Sequence, residues 1–503
     1  MANHNLILKN TILLYLRMFF VMGVSLYTSR LVLNILGVED YGIYNIVGGV
    51  VALFVFLNNA MTTATQRFLS FYLGKELKEN LEKIFSASMF AHLTIVVVVV
   101  LLSETIGLFV INKVLNIPSE KVIDANWVFQ ASVLTLCTQI MRVPYNANII
   151  AQEKMAIYAY LSIVEVLLKL LCVVALLCFS EKRLIIYAVC ILFSNIIITL
   201  VYYFYCISKY DYCKFSNRCD KKLYLSIFSF TGWSLLGQGA IVLSNQGCNI
   251  FLNVFFGVVV NAAMGIANQV NSTLMGFVHN FQTAFKPQIV KSYAKKDFIG
   301  LHNLIDYTSR LSFYLLYVFA VPIFFYIEEI LNWWLGVVPE YTNSFCLLII
   351  AYSLFESFMG PLWISIFATG EIKKYQILMS IIYSMILVLS YVFLYIGFPP
   401  ETVLIIKLLL CLGVFIIRIH FVRLKIKLNL KKFFDETVLP IIKVLSITSV
   451  FVWTFYQLTN QNLHYVIMII MMVIINSVII FYVGLKKNER NKIFNMLLNK
   501  IKC

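Results

Sequence analysis

The chain has 503 residues, 61% of them hydrophobic and only 13% charged, with a mean hydropathy of +0.86. That composition excludes a water-soluble globular enzyme and leaves a protein solvated by lipid. The formal net charge of +16 does not mark a nucleic-acid partner, because the basic residues are spread along the chain and form no concentrated basic domain.

Taken in order, apolar stretches long enough to cross roughly 30 Å of hydrocarbon predict spans at 10–36, 42–63, 84–111, 122–143, 156–180, 184–207 and 226–255. They continue at 261–285, 304–328, 343–368, 376–397, 402–424, 437–457 and 464–485. Backbone polar groups in lipid need internal partners, and β-barrel strands would alternate and stop after about ten residues, so the spans are helices. The predicted class is an all-α polytopic membrane protein of about 14 transmembrane helices: two pseudo-symmetric six-helix lobes and a C-terminal helix pair.

The domains expected are a lobe at 1–208, a cytoplasmic linker at 209–222, a second lobe at 223–424, the extra helix pair at 425–485 and a basic tail at 486–503. Of the 40 Lys and Arg residues, 31 fall in connections on one side, against Lys113, Lys121, Lys182 and Arg183 on the other. The positive-inside rule therefore puts both termini in the cytoplasm. The first span is too long for a signal-peptide core and is read as an anchor. Eleven cysteines are scattered mostly singly, with only Cys213 and Cys219 sharing a loop, so free thiols are expected.

One stretch recurs. Ser29–Asn45 reads SRLVLNILGVEDYGIYN and joins the first two spans, and Leu252–Asn268, LNVFFGVVVNAAMGIAN, stands at the equivalent place in the second lobe. Leu33-Asn34 matches Leu252-Asn253, Gly37 matches Gly257, and Gly42-Ile43-x-Asn45 matches Gly265-Ile266-x-Asn268. Six crossings return each lobe to the same orientation, which makes this a parallel repeat.

The polar residues follow the repeat. On an ideal helix Thr231, Ser234, Gln238, Asn245 and Asn249 of span seven share one face within roughly 60°, and Asn261, Asn268, Ser272, His279, Gln282 and Lys286 of span eight share one within roughly 80°. In span two Asn45, Gly49, Asn59, Thr63 and Arg67 do the same within roughly 80°. Spans three to six are plainer and look like outer packing helices. Amides offer donors and acceptors to hydroxyl-rich sugars, and a guanidinium grips phosphate with two parallel bonds. The stripes also fit interhelical packing, and Arg67 and Lys286 also fit ordinary cytoplasmic anchors.

Among basic residues inside spans, Arg30 belongs to the repeated stretch. Arg17 lies about 140° from it, so both line one cleft only if the helix bends near Gly23. Lys169 stands one turn after Glu165 and pairs with it. Glu356 is the acidic residue deep in a span without a sequence neighbour, open to ion coupling or to a structural pairing with Lys407. No nucleotide-binding P-loop, H-E-x-x-H or G-x-S-x-G motif occurs, and six histidines show no ligand spacing, so neither an enzyme, a cofactor nor a metal site is expected.

Residues 29–75, SRLVLNILGVEDYGIYNIVGGVVALFVFLNNAMTTATQRFLSFYLGK, resemble the N-terminal signature of the polysaccharide transporter family. These are the Wzx-type O-antigen and capsule flippases of the multidrug/oligosaccharidyl-lipid/polysaccharide (MOP) exporter superfamily, whose helix count and lobes match the whole chain. The resemblance implies alternating access by two bundles moving undecaprenyl-diphosphate-linked sugars across a bacterial inner membrane. It further implies a cationic cavity supporting Arg30, Arg67 and Lys286. The site expected is a diphosphate held by Arg30 with Arg67 or Lys286, and sugars meeting Asn45, Asn59, Gln238, Asn245, Asn249, Asn268 and His279. Expected partners are the lipid-linked oligosaccharide, bilayer lipids, and a polymerase with chain-length machinery. The competing readings are a cation-coupled drug exporter of the same superfamily and a non-transporting scaffold of a polysaccharide assembly complex.

Overall fold

Long apolar runs without proline or charge have one low-energy form in lipid, and the computed structural model is helical almost throughout. It describes residues 4–52, 55–76, 78–114, 118–179, 181–214, 221–335, 338–459 and 465–491. The helices are α1 (His4–Ala52), α2 (Val55–Gly74), α3 (Lys78–Leu102), α4 (Val122–Ala151), α5 (Met155–Ala175), α6 (Arg183–Lys209), α7 (Lys221–Phe256) and α8 (Val258–Ala294). They continue as α9 (Phe298–Leu335), α10 (Thr342–Thr369), α11 (Lys373–Tyr395), α12 (Thr402–Ile426), α13 (Leu430–Phe433), α14 (Leu439–Thr459) and α15 (Tyr465–Ile479).

Among the described residues, ten helical segments are long and apolar enough to cross a membrane. Of the other expected spans, 122–143 and 261–285 fall on the more polar α4 and α8, 42–63 is divided between the end of α1 and α2, and 10–36 lies on α1, where Asn10–Ser25 forms an apolar stretch. Gly37 interrupts α1 with φ 79° and ψ 171°, and Gly257 separates α7 from α8 with φ 82°. Positions matched by sequence thus share a left-handed backbone that glycine adopts without a steric penalty. A break frees carbonyls that the helix would have satisfied. Here Arg183 donates to the Ile35 carbonyl at 3.3 Å, and Lys121 pairs with Asp40 at 2.7 Å.

Packing divides the chain into two compact units. The first holds residues 1–239, 283–297 and 370–376; the second holds 240–282, 298–369 and 377–503. In the first, α4 is central and packs on α2, α3 and α6, while α1 lies along α5. Phe85, Tyr145, Ile149, Ile198 and Tyr202 form part of its core. The start of the 209–222 connection is tucked in: Cys213 is fully buried, and Tyr212 donates to Asn148 Oδ1 at 2.8 Å while accepting from Gln152 at 2.7 Å.

In the second unit α10 packs on α9 and α12, and α15 on α9. The last helices are fastened by buried polar groups. Asn476 donates to the Tyr317 carbonyl at 3.0 Å, and Arg310, 2% exposed, pairs with Glu489 at 2.6 Å and donates to the Gly484 carbonyl at 3.1 Å. All nine cysteines among the described residues are free.

Candidate functional site

The first unit encloses a polar chamber of about 420 Å³ between α1, α4, α5 and α6, within the ~300–1,000 Å³ typical of small-molecule sites. Its α5 wall is Tyr158, Ser162, Glu165 and Lys169, spaced four, three and four residues apart and therefore on one helical face. Arg17, Val21, Ser25 and Thr28 present the equivalent stripe from α1, and α4 adds Arg142 and Asn146.

Glu165 accepts from Lys169 Nζ at 2.9 Å and from Arg142 Nη1 at 3.1 Å. Arg17 stacks its guanidinium 4.6 Å from the centre of the Tyr158 ring and has no carboxylate partner among the described residues. Arg17 Nε and Asn146 Oδ1 are buried without a hydrogen-bond partner among the described residues. The chamber therefore holds three cations and one carboxylate, which Arg142 and Lys169 share.

This chamber corrects one expectation: spans four to six are not plain packing helices, since they form most of its wall. Arg142 lies within α4, which runs to Ala151, and Arg17 turns to α5. The signal was present in the sequence as the spacing of Tyr158, Ser162, Glu165 and Lys169, but the Glu165–Lys169 pair was read as self-contained.

The expected site residues fall in both units. Arg67, 7% exposed, lies within α2 with its guanidinium 4.7 Å from the ring centres of Phe68 and Phe71 and 5.8 Å from that of Phe230. It lies so close to Gly370 that a Cβ there would meet Nη2 at 2.5 Å. Lys286 and Gln238 are half-buried and also belong to the first unit. The side chains of Arg30, Asn45 and Asn59 lie outside the described residues.

In the second unit Asn245, Asn249 and Asn268 line a small cavity of about 20 Å³ together with Lys407, space for a single water. Lys407 donates to Asn245 Oδ1 at 3.0 Å and lies 4.6 Å from the Tyr352 ring centre. His279 is exposed on α8. Glu356 pairs with Arg418 at 3.0 Å, not with Lys407. The two cations sit on one face of α12 but eleven residues apart, roughly 16 Å along the axis, and Arg418 is the one at the carboxylate's level. Among the described residues no group of three His, Cys, Asp or Glu side chains could hold a metal ion.

Long apolar helices in two bundles, with polar cavities among them, define a multi-pass α-helical membrane protein. The chain belongs to the polysaccharide biosynthesis protein family, whose model matches residues 7–292. It is 24% identical over 338 residues to the uncharacterized membrane protein EpsK of Bacillus subtilis (strain 168), a match covering 65% of this chain and 64% of that relative's length.

Its fold is similar to that of a MATE transporter solved in complex with MaD3S, with a TM-score of 0.71 and 14% identity over 84% of this chain and 96% of the other. An outward-facing multidrug resistance MATE transporter of the MOP superfamily also has a TM-score of 0.71 and 14% identity, covering 83% and 96%. A Pyrococcus furiosus MOP-superfamily transporter, described as having a binding pocket of reverse polarity that suggests a different function, aligns at 0.68 with 14% identity over 83% and 96%. The likeness is one of fold.

Proposed function

We propose that the chain exports a lipid-linked saccharide carrying an anionic phosphate head, by alternating access across a bacterial cytoplasmic membrane. The carrying observation is that Glu165 and Glu356, the carboxylates midway along α5 and α10, are both held by arginine. Each carboxylate is already paired with a guanidinium, whereas cations outnumber carboxylates in the chamber of the first unit. Family membership supports the same cargo.

In this reading fourteen crossings form six, six and two, with both termini cytoplasmic. Arg30, Arg67 and Lys286 serve the diphosphate, the amide stripes serve the sugars, and O-antigen or capsule assembly with a polymerase is the setting. The solved MATE structures favour the second reading, a cation-coupled drug exporter, more directly than this one.

Proteoliposomes separate the two. The purified chain should move a fluorescent polyprenyl-diphosphate sugar between leaflets, and its overexpression should leave tolerance to cationic drugs unchanged. Proton-driven efflux of a hydrophobic cation without movement of the lipid-linked sugar would replace the first reading by the second.

A further inference from the structure

We propose that the chamber between α1, α4, α5 and α6 is a binding site for a compact, doubly charged phosphate-type anion, with Arg17 as its principal contact. The site is inferred from the first unit alone and stands whether or not the cargo reading does.

The charges define the ligand. Arg142 and Lys169 already share Glu165 at 3.1 and 2.9 Å, so their remaining donors are partly neutralised. Arg17 is different: its partner is a ring face, which orients the guanidinium and leaves its charge uncancelled. Uncompensated charge at this depth is costly and is tolerated where it serves an ion or a polar cavity. A monocarboxylate would leave one positive charge over; a dianion balances the chamber.

A guanidinium offers two parallel N–H groups to adjacent phosphate oxygens, and the Lys169 ammonium on α5 adds a further donor beyond its bond to Glu165. A chamber of about 420 Å³ has room for a diphosphate group. Glu165 acts as a resident counter-ion, competing with the ligand for Arg142 and Lys169.

The test uses the full chain in nanodiscs and two sources of the same anion: inorganic pyrophosphate in solution, and a polyprenyl diphosphate in the nanodisc with the bare polyprenol as control. Titration should show saturable binding that Arg17→Gln weakens about tenfold or more, the worth of one charged hydrogen bond, and that Glu165→Gln strengthens. Arg17→Gln breaks no ion pair among the described residues, so it leaves the fold in place where Arg142→Gln would not.

Arg17-dependent binding of both probes assigns the site to the shared anion. Binding of the diphosphate lipid alone assigns it to a lipid headgroup, and of pyrophosphate alone to a soluble anion. No saturable binding of either, or unchanged affinity in Arg17→Gln, overturns the site. Failure of sugar-lipid movement in proteoliposomes would count against the cargo only.

Discussion

Gly37 is a residue whose replacement has a calculable effect. Its φ of 79° costs any L side chain about 1–2 kcal/mol, while its Cβ direction is open, so Gly37→Ala changes the backbone term and no packing. Thermal unfolding of Gly37→Ala and of Gly257→Ala should show losses of that size in both; no loss in either would mean that the breaks relax. Glu356→Gln has a different origin. Arg418 is 4% exposed, and removing its carboxylate should cost about 3 kcal/mol, at the lower end for a buried pair because Glu356 keeps some solvent access. Replacing both by Glu356→Leu and Arg418→Met should recover most of it, which a double-mutant cycle in chemical denaturation would register.

At the scale of the helix, α8 shows how charge holds an element. Glu153, in the turn after α4, accepts from Lys291 at 2.6 Å and from Gln288 at 3.1 Å, and Lys295 pairs with Glu76 at 3.0 Å. These bonds fix residues 283–297 in the first unit, where Ala284 packs with Leu14, Ile150 and Met155. Glu153→Ala should raise amide exchange in 288–296 severalfold and leave that of α4 near its original rate; equal protection would show that the apolar contacts suffice. The sequence makes such helices legible by hydropathy, yet hides what they face. The pairing of Glu356 with Arg418 rather than Lys407 depends on the relative depth of α10 and α12, which no periodicity within one helix encodes.

For the whole molecule, composition and span length determine most of the architecture, since lipid leaves a chain this apolar only one backbone solution. One match between the recurring stretches has a backbone counterpart: Gly37 and Gly257 both take a positive φ. Less legible by hydropathy are α2, α4 and α8, which carry the polar residues of interest. The internal chamber was missed because its wall draws on four helices, each contributing an unremarkable stripe.

That chamber has an electrical consequence. Three positive side chains with one negative companion sit within the membrane's field, and each uncancelled charge carried across it exchanges about 2.3 kcal/mol per 100 mV. A bound dianion abolishes the surplus. Movement of the chamber would then be nearly indifferent to voltage when loaded and strongly biased when vacant, so a potential imposed on proteoliposomes should alter the return stroke rather than the delivery.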